Sequence, residues 1–374
     1  EIVSRLRKLG VETHVIMTKN AAQFVQPLTF ETLSNHPVVT DTFARPETWE
    51  VEHIALAKRA DVFLVAPATA NFLGKAAHGI ADDMLTTTVM ATKAPVLIVP
   101  AMNTNMYENP VMQDNLEKLR HYGKKIIEPA YGMLACGTSG VGKMPEPAQL
   151  LQYILKEIAC EKDLAGKKVL VSAGPTQEPI DPVRFISNHS TGKMGYAIAK
   201  MAMLRGADVT LISGKVSLEP VPFVKMVDIV SAEDMYNAVI KSAKDADIII
   251  KAAAVADYRP SDVSDEKIKK KDGDMSIPLE RTKDIIGTLG NNKRDGLFLC
   301  GFSMETEHML ENSKAKLTKK NLDMIVANNV KVAGAGFGTD TNVVTLITAD
   351  DCTELEIMDK SCVAARIMDR LLQM

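Results

Sequence analysis

Short apolar runs recur along the chain, and between them apolar side chains return every three or four positions. The runs at 11–17, 61–66, 96–100 and 125–127 read as strands, and the stretches 50–59, 82–92 and 111–122 as helices. A second series follows, with strands expected at 169–173, 209–213, 248–252, 297–301, 324–328 and 343–348. Its helices fall at 195–204, 232–242, 307–319 and 362–372. Alternation of this kind predicts mostly parallel sheets covered on both faces, so the expected fold class is α/β with two doubly wound domains. The polar stretch 161–168, with a turn glycine at Gly166, reads as a linker and divides the chain into 1–162 and 163–374. Ligands of such sheets lie beyond the carboxyl ends of the strands, so chemistry is sought in the loops that follow strands.

The chain opens at Glu1 on a helical pattern closed by Gly10, with no strand before it. The sequence is therefore expected to lack the native N-terminus and with it the first strand of the first domain. At 374 residues, 46% hydrophobic and 24% charged, the chain has the balance of a soluble globular protein. A formal net charge of −3 and the absence of a basic run argue against nucleic acid as a partner. No apolar stretch reaches the roughly 18 residues of a membrane helix. The five cysteines, Cys136, Cys160, Cys300, Cys352 and Cys362, are odd in number and scattered, which suggests neither a disulfide framework nor a zinc knuckle. A reducing cytoplasm is the natural compartment.

In the first domain, Ala66-Pro67-Ala68-Thr69-Ala70-Asn71 follows one predicted strand and offers small residues that let a flat ligand approach the backbone. Pro100-Ala101-Met102-Asn103 follows the next, His53 lies on a preceding helix, and Cys136 sits in a glycine-rich loop. Taken singly, a helical histidine is commonly structural, a cysteine among small residues incidental, and an asparagine after a strand a cap. Gly137 to Lys143 fits the spacing of a phosphate loop, yet Met144 replaces the required Ser/Thr and Pro145 follows at once. Together with His53-Ile54-Ala55-Leu56-Ala57-Lys58 and Ala135-Cys136-Gly137, these segments resemble the flavin-dependent cysteine decarboxylases, in particular 4'-phosphopantothenoylcysteine decarboxylase. The resemblance implies a flavodoxin-like domain that binds FMN through Pro67, Ala68, Thr69 and Asn71. It implies that the substrate thiol is oxidised to a thioaldehyde, carbon dioxide is lost and the enethiol is reduced. His53 would assist oxidation and decarboxylation, Asn103 would bind the substrate carboxylate, and Cys136 would donate the final proton. The family's first strand and glycine-rich FMN loop would lie before Glu1, so the flavin site is expected to be incomplete.

In the second domain a predicted strand ends in Ala173-Gly174-Pro175-Thr176, and a long irregular loop runs to a helix expected to open at Gly195. A strand, a small-residue turn and a glycine-led helix favour a phosphate. The loop is longer than a bare connection needs. Small residues Ala252 to Ala256 lead into Asp257-Tyr258-Arg259, and a lysine cluster, Lys267 to Lys271, follows. Such a cluster is usually a solvated face. Directly after a candidate ligand loop it reads better as a flap that neutralises a triphosphate.

The strings Gly174-Pro175-Thr176, Ile186-Ser187-Asn188-His189-Ser190-Thr191-Gly192-Lys193-Met194-Gly195, Ala253-Ala254-Val255-Ala256-Asp257-Tyr258-Arg259 and Lys267-Ile268-Lys269-Lys270 closely resemble phosphopantothenate–cysteine ligase. With the decarboxylase segments they follow the order of the bacterial fusion proteins of coenzyme A biosynthesis. The resemblance implies a Rossmann-like domain that joins cysteine to 4'-phosphopantothenate with CTP and Mg2+ through an acyl cytidylate. Asn188 would hold the acyl group and Lys267 would neutralise phosphate charge. Gly174, Asp257, Lys283, Asp284, Ile285, Ile286, Phe302, Lys316 and Lys320 match nucleotide contacts. It also implies a homo-oligomer, with ligase dimers and decarboxylase trimers building a dodecamer. Two other readings remain: a ligase whose decarboxylase domain is inactive, and a non-catalytic binding subunit. A nicotinamide oxidoreductase is disfavoured because neither domain carries the G-x-G-x-x-G fingerprint with its downstream acid.

Overall fold

The computed structural model describes the chain except residues 44–50, 136, 271–274, 305–308, 329–335 and 337. It divides into two compact units, Glu1–Cys160 and Glu161–Met374. Among the described residues no helix is long and apolar enough to cross a membrane.

In the first unit the strands Phe63–Ala68, Val96–Pro100 and Lys125–Ile126 form a parallel sheet in that order. The central strand is buried at every residue. Its side chains alternate between two cores. Val96 and Ile98 pack with Phe72, Leu73 and Leu116 on one face, while Leu97 and Val99 pack with Leu6, Leu150 and Ile154 on the other. Continuous apolar character in a strand is the mark of burial on both faces. The segment 11–17 departs from expectation. It forms no ladder among the described residues, only an isolated parallel bridge from Ile16 to Val39, because apolar alternation makes a chain extended but a strand also needs a paired neighbour. The glycine-rich segment that imitates a phosphate loop is an antiparallel hairpin, Ala130–Met133 with Ser139–Lys143.

In the second unit eight strands form one sheet. In spatial order they are Lys225–Asp228, Asp208–Ser213, Lys168–Ala173, Ile248–Lys251, Phe298–Met304, Met324–Asn328, Val344–Ile347 and Cys352–Glu354. The first six are parallel and run in the doubly wound order 3-2-1-4-5-6, and the last two are antiparallel. Side chains again alternate: Val169, Val171, Ile248 and Ile250 face Ile198, Ala202 and Ile367, whereas Leu170 and Ile249 face Met235, Val239 and Leu289. The edge strand Cys352–Glu354 is exposed throughout and too polar to be read as a strand from its pattern.

The expected linker is not a loose tether. Leu164 is fully buried in the second core, a gain of about 1.5–3 kcal/mol, and Arg205 pairs with Asp163. The polar residues around Leu164 hide one anchoring side chain. The helix expected from Gly195 begins two residues earlier, at Lys193, because Gly192 takes a left-handed conformation and serves as its N-cap.

Candidate functional site

In the first unit the loops that carry Pro67 to Asn71 and Asn103 lie at one end of its sheet. Phe63–Ala68 and Val96–Pro100 run side by side, so the loops after them are neighbours, and Ala101 N–H donates to Ala68 O at 3.1 Å. Pro67 follows a cis peptide bond and is exposed, Ala68 is buried, and Thr69 caps the helix Ala70–Ala77 by accepting from Phe72 N–H at 3.4 Å. Asn71 is exposed in the first turn of that helix. Asn103 caps the short helix Thr104–Tyr107, its Oδ1 accepting from Asn105 N–H at 2.9 Å. The hairpin 130–143 docks on this loop: Met102 N–H donates to Gly142 O at 3.0 Å, and Thr104 Oγ1 donates to Val141 O at 2.9 Å. A Cβ on Gly142 would fall 2.0 Å from Met102 O, so only glycine permits the approach. His53 lies half-buried in the first turn of the helix Glu52–Arg59. A helix that runs back antiparallel to the strand it feeds has its N-terminus at that strand's carboxyl end, the end of these loops. Cys136 lies outside the described residues.

In the second unit a cavity of about 390 Å³ opens beyond the strand Ile248–Lys251. Its wall begins with Lys251 and Val255 to Tyr258, continues through 281–286, and closes with Phe302, Lys316 and Lys320. Asp257, Lys283, Asp284, Ile285, Ile286, Phe302, Lys316 and Lys320, scattered over the sequence, thus line one space. Five cationic side chains, Lys251, Arg281, Lys283, Lys316 and Lys320, face it against two carboxylates, Asp257 and Asp284. Such an excess suits a polyanion. Asp284 accepts from Gly287 N–H at 3.0 Å and pairs with Lys320 at 3.0 Å. Burial pushes its carboxyl up, but the hydrogen bonds from Gly287 and Lys320 and the charges of Lys320 and Lys251 win and hold it below the usual carboxylate range. Lys283 pairs with Glu233 at 2.7 Å and lies 4.9 Å from the Tyr236 ring centre. Lys251 is pushed down to about 8, first by burial and then by the Lys320 charge, with Asp284 and Asp257 opposing.

Gly174, Asn188 and Lys267 are not among the residues that line this cavity; Gly174 and Asn188 reach Ala254, next to its wall. The Asn188 amide donates to Ala254 O at 2.9 Å, one residue before the cavity wall. Gly174 approaches the helix cap, with Gly192 positioned so that a Cβ on it would lie 3.5 Å from Gly174 Cα. A Cβ on Gly195 would come within 2.5 Å of Ala173 Cβ, so helix and strand pack directly. The long loop is less irregular than expected, since Gln177–Pro179 and Phe185–Ser187 pair as a hairpin. At its turn the buried Asp181 accepts from Val183 N–H and Arg184 N–H at 2.8 Å and from Arg184 Nε at 2.9 Å. It also accepts from Ile268 N–H at 3.1 Å, while Arg184 Nη2 donates to Ile268 O at 2.9 Å. The exposed Lys267 is thereby carried on a segment clamped to the hairpin. The Arg184 guanidinium and three backbone N–H groups hold the Asp181 carboxyl well below the usual range.

Two family models divide the chain where the units divide. The flavoprotein model matches residues 1–159, and the DNA/pantothenate metabolism flavoprotein C-terminal domain matches residues 164–374. The chain is 48% identical over 374 residues to the coenzyme A biosynthesis bifunctional protein CoaBC of Bacillus subtilis strain 168, covering 99% of this chain and 92% of that protein. This chain belongs to the bifunctional coenzyme A biosynthesis protein family. A cysteine/cysteine sulfinic acid decarboxylase from an unknown prokaryotic organism is 44% identical over 93% of this chain and 99% of its own length. The crystal structure of the C-terminal domain of a CoaBC protein matches 56% of this chain and 95% of that chain at 44% identity, with a TM-score of 0.48.

For a member of this bifunctional family, two residues that pattern reading passed over stand out. Lys251 closes a strand of three buried isoleucines and reads as the solvated end of a core strand, but its ammonium faces the cavity. Asp181 reads as a turn residue, and only the folded loop shows it joining the asparagine and lysine segments. The signal for both was weak: a cation directly after an apolar run, and an acid among prolines.

Proposed function

We propose that this chain carries out two consecutive steps of coenzyme A biosynthesis. The second unit joins cysteine to 4'-phosphopantothenate at the expense of CTP, and the first decarboxylates the resulting 4'-phosphopantothenoylcysteine. The observation that carries the reading is the cationic cavity, which gathers eight residues assigned to nucleotide binding from resemblance alone.

In the ligase reaction the 4'-phosphopantothenate carboxylate attacks the α-phosphate of CTP and pyrophosphate leaves. The cysteine amine then attacks the acyl carbon of the acyl cytidylate, and CMP leaves. Lys316, Lys320 and Lys251 offset triphosphate charge, Phe302 offers an apolar face to the base, and Gly174 leaves the backbone open beside the phosphates. Lys267 neutralises charge that develops as pyrophosphate departs, and Asn188, tethered to Ala254, holds the acyl group. Stabilising developing charge with prepositioned cations is the main source of acceleration in such transfers. Asp284 is committed to Gly287 and Lys320, so Asp257 is the carboxylate placed to meet the magnesium carried by the nucleotide, or its ribose.

In the first unit, two adjacent strand ends with small residues fit a flat ring system. Pro67, Ala68, Thr69 and Asn71 would hold FMN there. Bound FMN supplies an acceptor and donor for an electron pair. The chain's own residues do the rest. Asn103 would bind the substrate carboxylate through its amide nitrogen, since only an N–H can donate to a carboxylate. His53 takes a proton in the first half of the reaction, and Cys136 returns one in the second. We place the enzyme in the cytoplasm, in keeping with cysteines Cys300, Cys352 and Cys362 that form no disulfide. Its proposed assembly is a homo-oligomer of ligase dimers and decarboxylase trimers, which sizing with light scattering tests.

The deciding experiment is CMP release from CTP, magnesium and 4'-phosphopantothenate, with and without cysteine, for the parent chain and Lys267→Gln. Cysteine-dependent release that collapses in the variant supports the ligase reading. A folded parent chain that releases no CMP at saturation overturns it.

A further inference from the structure

We propose that Glu12, His14 and His36 form a site for a divalent transition-metal ion of the zinc, cobalt or nickel class, clasping the segment 11–17 to the turn at 34–36. Residues two apart on an extended chain point to one side, which brings Glu12 and His14 together. The turn after the helix Pro27–Ser34 delivers His36 to the same place. One ligand atom from each of the three lies within 4.8 Å of the others. His14 Nε2 is 2.7 Å and His36 Nε2 3.5 Å from the same oxygen, Glu12 Oε1.

The hydrogen bonding of His36 points to a cation. Its Nδ1 lies 3.0 Å from Ser34 O, and a carbonyl can only accept, so Nδ1 carries the proton. In the neutral ring Nε2 then turns a lone pair toward a carboxylate oxygen. That pairing is satisfied only if a proton or a metal ion sits between them. Metal-binding histidines are held in this manner, with the far N–H on a backbone carbonyl fixing the tautomer. The turn is itself fixed, since Ser34 Oγ donates to Phe30 O at 2.8 Å and accepts from His36 N–H at 3.2 Å.

The two rings are 4.2 Å apart, and Arg59 Nη1 lies 3.3 Å from His14 Nε2. Two imidazoles and a carboxylate are a donor set of borderline softness. Tetrahedral zinc with bonds of about 2.0–2.1 Å sets its ligands about 3.3–3.4 Å apart. The Glu12–His36 separation already matches. The Glu12–His14 contact must open by about 0.6 Å to reach that spacing, which the exposed Glu12 side chain allows. Arg59, exposed at the end of its helix, must swing aside. The segments so joined share only the Ile16–Val39 bridge and two flanking hydrogen bonds, Met17 N–H to Val39 O and Val39 N–H to Val15 O. A metal clasp would reinforce this single isolated bridge.

The test is calorimetric titration of zinc, and separately of cobalt, into the tag-free chain, with thermal melting alongside. One equivalent is expected to bind and to raise the melting midpoint. His36→Ala and His14→Ala are each expected to weaken binding at least about tenfold, as loss of a ligand requires. Glu12→Gln, a conservative change at an exposed position, covers the case in which a histidine variant fails to fold. Far-UV circular dichroism and the metal-free melting profile check that each variant is otherwise folded. Absence of saturable binding to the parent chain overturns the proposal and leaves a proton-bridged cluster. Parent-like stoichiometry and affinity in the variants also overturn it, and would place the ion on other ligands such as the exposed Cys352 and Cys362.

Discussion

Lys251 follows three buried isoleucines and ends with its ammonium against a cavity of like charges. Burial and Lys320 bring it down to about 8 from an ordinary 10.5. A triphosphate is held best while Lys251 is charged, and CTP affinity should fall as pH rises above about 8. Lys251→Met should bind CTP more weakly at pH 7 and lose that inflection, as nucleotide titrations at several pH values would show. The stability effect has the opposite sign. The unfolded chain binds the proton more tightly than the folded one between about 8 and 10.5, so this residue's penalty fades as pH rises through that window. At Lys267 the expected effect is kinetic. Removing its charge with Gln should slow CMP release on the order of a hundredfold or more, the usual loss when one prepositioned group is deleted.

At the scale of elements, function depends on loops held by buried polar contacts. Asp181 fastens the hairpin Gln177–Pro179/Phe185–Ser187 to the lysine segment through Ile268. Asp181→Ala would leave Arg184 and three backbone N–H groups without their acceptor. The variant should therefore show a raised KM for CTP with slower ligation, while decarboxylation keeps its parent rate. Gly142→Ala should do the reverse. Its Cβ would meet Met102 O, and φ is +141°, so the hairpin must lift from the Asn103 loop. Decarboxylation should suffer and CMP release should not, which assays of the two half-reactions on one preparation would reveal.

For the whole molecule, the division at Cys160–Glu161 means that each unit owns its core and its candidate site. The Lys267→Gln chain should then decarboxylate supplied 4'-phosphopantothenoylcysteine as fast as the parent chain does. Joint loss of both activities would show that the units do not act separately.

Strand and helix order was legible because both sheets are buried on two faces, and burial leaves continuous apolar runs such as Val96–Pro100 and Ile248–Lys251. Even the doubly wound class followed from alternation alone. Pairing was less legible, since 11–17 and Cys352–Glu354 differ from their apparent character through the neighbours they meet or lack. Family strings named Asp257, Phe302 and Lys320 one by one, but their sharing of a cavity with Lys251 was decided by sheet order 3-2-1-4-5-6. The links from Asp181 to Ile268 and from Glu12 to His36 were likewise invisible, because neither involves a motif. Side-chain type and periodicity are local properties written in the sequence. Which charges face one another depends on chain crossings many residues apart, and those exist only in the folded protein.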